Sequence, residues 1–181
     1  ASFFSRRLGR GKLHLDIVDY PGEWLLDLTL LSRDYATWSG EALAFARAEG
    51  HDAVAAPWLA RLATVDPGAP EDETLARELA ALFTEYLRAC RRSDRVATQP
   101  PGRFLMPGDL DGSPALTFAP LDLPEGHRAR SGSLAAMMER RYEAYKSHVV
   151  RPFFREHIAR LDRQIVLIDV MQALNAGPAS V

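Results

Sequence analysis

Asp19 and Gly22 stand three residues apart, separated by Tyr20 and Pro21, at the end of a short alternating run in which Leu13, Leu15 and Ile17 flank His14 and Asp16 before Val18. A carboxylate delivered at the C-terminal edge of a strand can hold Mg²⁺, usually through water. A glycine at the third position beyond it can bring its amide against a γ-phosphate, because no side chain blocks the approach. That is the physical form of a Walker-B strand running into a D-x-x-G switch. On spacing alone the plainer reading leads: a strand that ends in a Pro-Gly turn.

The elements that must position these residues follow from periodicity. Lys12 to Val18 reads as a strand, and Gln164 to Val170, a nearly continuous β-branched run, reads as a second one buried on both faces of a parallel sheet. Between them the pattern is helical. Tyr35, Trp38, Ala42, Phe45 and Ala46 recur at helical spacing after the cap candidate Ser32, with Gly50 as a stop. Trp58, Leu59, Leu62 and Val65 mark a second helix with Pro57 near its start. Leu75, Leu79, Leu82, Phe83, Tyr86, Leu87 and Cys90 form one stripe, with acids at its N-terminal end and Arg88, Arg91 and Arg92 at its C-terminal end, as the helix dipole favours. From Arg95 to Gly126 prolines and glycines break the pattern, while Phe104, Leu105, Met106, Leu116, Phe118, Leu121 and Leu123 supply apolar anchors, so an ordered, irregular excursion is expected. Helical spacing resumes after Ser131 and Ser133, kinks or restarts at Pro152, and continues through Phe153, Phe154, His157, Ile158 and Leu161.

Composition narrows the function. The 22 basic residues against 24 acidic ones leave a formal charge of −2, which removes the usual reason to expect nucleic acid. One cysteine cannot form an intrachain disulfide or a cysteine metal cage, and it suits a reducing compartment, so the cytoplasm is the expected location. No run approaches the roughly 18 apolar residues of a membrane span. The five histidines never adopt a ligand spacing such as H-E-x-x-H. Cys90 lies on an apolar stripe and reads as a buried thiol, and the arginines from Arg88 to Arg95 read as dipole partners before they read as phosphate ligands. The first residue is Ala1, with a motif almost at once, which points to further residues upstream.

The longer string from His14 to Leu28, His-Leu-Asp-Ile-Val-Asp-Tyr-Pro-Gly-Glu-Trp-Leu-Leu-Asp-Leu, resembles the YcjX-like family of P-loop nucleoside triphosphatases. The stretches 101–109, 112–121, 140–146 and 162–170 also look like family text in family order, so the resemblance spans nearly the whole chain. It implies an α/β fold: a partial P-loop core with parallel strands at about 12–18 and 164–170, carrying a large, mostly helical insertion. The implied division is 1–31 for a core strand and switch, 32–162 for the insertion, and 163–181 for a second core strand. In that setting Asp19 takes the Mg²⁺-associated role through water, Gly22 contacts the γ-phosphate, Glu23 stands where a residue orients the attacking water, and Tyr20 and Pro21 shape the switch. Asp169 stands at the edge of the neighbouring strand, where a capping role is at least as good a description. The implied ligands are Mg²⁺ with GTP or ATP.

The chain departs from the family in two motifs. The phosphate loop G-x-x-x-x-G-K-[ST] is absent: Gly11-Lys12 has Arg6 where the first glycine belongs and Leu13 where the Ser or Thr belongs. The base-reading N/T-K-x-D is also missing, since Lys146 is followed by Ser147 and His148. The expectation is a middle portion of an NTPase that, by itself, binds and hydrolyses nucleotide weakly or not at all. The competing expectation is a non-catalytic helical interaction module in which residues 19–22 are only a turn.

Overall fold

The apolar stripes expected at 35–46, 58–62, 75–90 and 134–145 form helices whose faces meet in one aromatic core, whereas the helix expected to run through Leu161 ends at Glu156 and leaves Phe154 and Leu161 exposed. The computed structural model describes residues 16–48, 51–92, 99–124, 126–165 and 167. Six α-helices lie among them: α1 (Gly22–Leu26), α2 (Tyr35–Ala46), α3 (Asp52–Leu62), α4 (Glu73–Arg92), α5 (Leu134–Tyr145) and α6 (Arg151–Glu156). A 3-10 turn, Asp27–Ser32, continues α1, and a π turn, Lys146–Val150, joins α5 to α6.

The expected α/β class is corrected by this structure. Among the described residues there is no β-strand, and the sole β-type pairing is an isolated bridge between Pro70 and Ser133. The described ends of the two expected strands, 16–18 and 164, 165 and 167, have no regular secondary structure and pair with no neighbour. Their period-2 and β-branched patterns describe side chains suited to burial on a sheet. A strand also needs a neighbour to satisfy its amides and carbonyls, and here Ile17, Ile165 and Leu167 are 83%, 88% and 92% exposed. The remaining residues of both runs lie outside the described ones, as do Asp169 and Gly50. The described fold is helical.

The core is built on stacked rings. Trp38 of α2 lies on Tyr142 of α5 at 4.9 Å between centroids and meets Phe83 and Phe118 edge-on. Trp58 of α3 stacks on Tyr86 of α4 at 5.1 Å. Cys90 is fully buried on the α4 stripe, and burial pushes its thiol above the usual range, which fits an inert structural sulfur. Of the excursion expected over 95–126, residues 95–98 and 125 lie outside the described ones, and 99–124 is ordered as expected. Phe104, Leu105, Phe118 and Leu121 enter the core, and the Tyr35 hydroxyl donates to the Ala119 carbonyl at 2.7 Å.

Two local details differ from the sequence expectation. Pro57 is not near the start of α3 but inside it. Ala53 and Pro57 are both exposed, so water can satisfy the carbonyl that an amide at 57 would have bonded. The cap of α2 is Asp34 rather than Ser32: the Ser32 hydroxyl bonds back to the Thr29 carbonyl, and the Asp34 carboxylate accepts from the Thr37 amide at 2.8 Å. That amide holds the Asp34 carboxyl below its usual 3.8. Asp34→Ala is expected to cost about 1 kcal/mol. The cost is present at neutral pH and vanishes as pH falls through the lowered pKa, because a protonated carboxyl is a poorer acceptor. Urea midpoints of both proteins across that range check it.

Candidate functional site

The residues around Asp19 are arranged by the turn at Pro21, whose carbonyl accepts from the Trp24 amide at 3.0 Å and starts α1. Asp19 and Gly22 are exposed, and nothing stands within 4 Å of where a Cβ on Gly22 would lie. Asp19 lines a cavity of about 310 Å³ with Asp16, Tyr20, Leu161, Arg163 and Gln164, so residues 16–20 and 161–165 border one space. Glu23 points elsewhere: its carboxylate pairs with Arg91 of α4 at 2.7 Å. The structure therefore brings Asp19 and Gly22 to solvent on one turn and draws Glu23 onto the helical body.

The rest of this segment is clamped. The Tyr20 hydroxyl shares a hydrogen bond with His157 Nδ1 at 2.7 Å, and its ring meets Phe153 edge-on at 5.3 Å. The Trp24 indole donates to the Met106 carbonyl at 2.8 Å, and the Arg103 guanidinium lies 3.4 Å above the Trp24 ring. Arg103 is itself fixed by donating to Asp109 at 2.9 Å and to the Pro107 carbonyl. Gly102 explains why this loop carries a glycine. A Cβ there would stand 1.7 Å from the Glu23 carbonyl oxygen, so the two backbones are in direct contact.

Asp27 is the electrostatic centre of the clamp. It is 2% exposed, the one buried carboxylate among the described residues. It accepts from the Gly102 amide and from the Tyr145 hydroxyl, each at 2.6 Å. Burial raises its pKa from 3.8 to about 6, against the lowering effect of those two donors and of Arg103. Burial also drives the Tyr145 hydroxyl well above its ordinary value, with the Asp27 charge adding to the effect. Further along, Tyr142 and Lys146 donate to the Arg33 carbonyl at 3.1 and 2.7 Å, so α5 and the π turn hold the end of the segment as well.

Asp27, Gly102, Arg103, Tyr145 and His157 carry these contacts and do not stand out as site residues in the sequence. The available signal was Asp27 itself, an acid within Leu25-Leu26-Asp27-Leu28, where an apolar run marks the position for burial.

Among the described residues no cluster of three or more His, Cys, Asp or Glu could cage a metal. A single exposed carboxylate at Asp19 still suits Mg²⁺, which commonly keeps its waters and takes one or two carboxylates plus phosphate oxygens. No helix among the described residues is long and apolar enough to cross a membrane.

Taken together, these features define a helical body locked around a D-x-x-G segment. The model of the YcjX-like family, DUF463, matches residues 1–181. The chain is 40% identical over 172 residues to the Ras-like GTPase YcjX of Escherichia coli (strain K12), covering 92% of this chain and 37% of that protein. It is 35% identical over 171 residues to the Ras-like GTPase YcjX of Shewanella oneidensis (strain MR-1), covering 91% of this chain and 35% of that protein. This chain belongs to the YcjX-like family. It spans a little over a third of the length of the curated relatives it matches.

Proposed function

We propose that this chain is the switch-bearing portion of a Ras-like GTPase, that residues 19–22 form its D-x-x-G switch, and that residues 32–162 are a helical insertion coupled to that switch. GTP is preferred over ATP because both relatives are named GTPases. The observation that carries the reading is the clamp: Tyr20, Glu23, Trp24 and Asp27, all within or just after the D-x-x-G residues, each bond a different part of the helical body. A segment tied in this way converts displacement near a γ-phosphate into displacement of helices.

In this reading Asp19 holds Mg²⁺ through water and Gly22 gives its amide to the γ-phosphate. When bound with the nucleotide, Mg²⁺ neutralises charge on the phosphate oxygens. Glu23, placed by the resemblance where attacking water is oriented, must leave Arg91 to do so; while paired it links the switch to α4.

Asp19→Asn in the full-length protein is expected to lower Mg²⁺-dependent GTP turnover at least tenfold, with little change in thermal unfolding because Asp19 is exposed. Phosphate release under saturating GTP checks it. An unchanged rate removes Asp19 from the mechanism and favours the helical interaction module.

A further inference from the structure

Segment 20–33 is gripped at both ends by one rod made of α5, the π turn and α6. At the far end Tyr145 bonds Asp27 and Lys146 bonds the Arg33 carbonyl; at the near end Phe153 and His157 hold Tyr20. The π turn Lys146–Val150 begins at the far grip, with Lys146, and leads to the near one. Such a turn accommodates an extra residue in an α-helix, and these turns recur at functional sites.

We propose that His157 is a positioning residue for nucleotide hydrolysis: by holding the Tyr20 hydroxyl it fixes the backbone that directly follows Asp19, and with it the stance of the Asp19 carboxylate and the Gly22 amide. This rests on the GTPase reading above. His157 is exposed, and the core that keeps the protein folded lies elsewhere, on α2 to α5. The bond to Tyr20 therefore sets local geometry more than global stability. Its reach is short, because Tyr20 is bonded covalently to Asp19 and precedes Gly22 by one proline of restricted φ. The Tyr20 ring also contacts Trp24 at 6.3 Å between centroids, so the grip extends into α1.

The test uses the full-length protein with GTP and Mg²⁺. His157→Phe keeps a ring against Phe153 and removes the nitrogen; Tyr20→Phe removes only the hydroxyl; His157→Asn restores an acceptor near the position of Nδ1. Each Phe variant is expected to lower kcat three- to tenfold, the range that one hydrogen bond sets, with KM within twofold and the unfolding temperature unmoved. The double variant should fall no further than either single one, and His157→Asn should recover most of the rate. Amide exchange over residues 19–24 should quicken in both Phe variants. A His157→Phe protein with wild-type kcat, or one that loses its unfolding temperature along with its rate, overturns the proposal. If the wild-type protein hydrolyses no GTP, the GTPase reading falls, and exchange over 19–24 then decides the positioning role: quickened exchange supports it and unchanged exchange overturns it.

Discussion

Gly102→Ala is expected to destabilise the protein by about 3 kcal/mol or more, the upper end of what overpacking costs, although it adds one methyl group. The new Cβ would lie 1.7 Å from the Glu23 carbonyl oxygen and 2.4 Å from its carbon. Both neighbours are backbone, so no rotamer change can relieve the contact, and α1 must separate from the Gly102–Phe104 turn. That separation also removes the Gly102 amide from Asp27, leaving a buried carboxylate short of a donor. The penalty does not come from backbone conformation, since Gly102 is not one of the glycines with a positive φ. Urea unfolding followed by tryptophan fluorescence reads the loss directly, because Trp24 lies on the same clamp. A Gly102→Ala protein within 1 kcal/mol of wild type would show that the two backbones are not in contact.

Much of this architecture was legible because helical burial leaves a local trace. Leu79, Phe83, Tyr86, Leu87 and Cys90 of the α4 stripe are buried as their spacing required, with Leu75 and Leu82 half-buried at its margin, and Ser133 caps α5 by accepting from the Ala136 amide. The strands failed for a physical reason. Alternation at 13–18 and the apolar run at 164–170 report which side chains favour a sheet, whereas a strand exists only where a partner chain segment supplies hydrogen bonds. The site was half legible. The D-x-x-G pattern stands in the sequence, where spacing alone favoured a simple turn, and the structure leaves Asp19 and Gly22 open to solvent. The clamp could not be read, because it joins Asp27 to Gly102 and Tyr145 across 75 and 118 residues, and no local periodicity encodes such a contact. The excursion was readable only as apolar anchors in a proline-rich stretch. That Arg103 would cover Trp24 depends on the fold that brings them together.

Asp27→Asn is expected to stabilise the protein at pH 7 by up to about 3 kcal/mol, although it removes the charge at the centre of the clamp. The folded pKa of Asp27 is raised from 3.8 to about 6, so between those values the native state holds a proton that the unfolded chain has released. Stability therefore falls as pH rises through that window. About two units at 1.36 kcal/mol each set the size of the effect. Burial is the cause, and the facing groups only reduce it: Tyr145 and the Gly102 amide by donating, Arg103 by its charge. Asparagine keeps an acceptor for Gly102 and offers a donor that the Tyr145 oxygen can accept, without a charge to desolvate. The stability difference should be near zero at pH 4, should open as pH rises from there to 6, and should be fully developed above 6. Asp27→Ala should behave oppositely, losing stability at both pH values because it strands the Gly102 amide and the Tyr145 hydroxyl in the core. Urea unfolding of the three proteins at pH 4 and pH 7 separates the cases. An Asp27→Asn protein less stable than wild type at pH 7 would mean that the charged hydrogen bonds to Gly102 and Tyr145 outweigh the cost of burial. A carboxylate that weakens the fold at neutral pH makes its grip on α1 easier to release than an apolar contact of the same size, and the Asp27→Asn protein isolates that property because it keeps the shape of the clamp and removes only the charge.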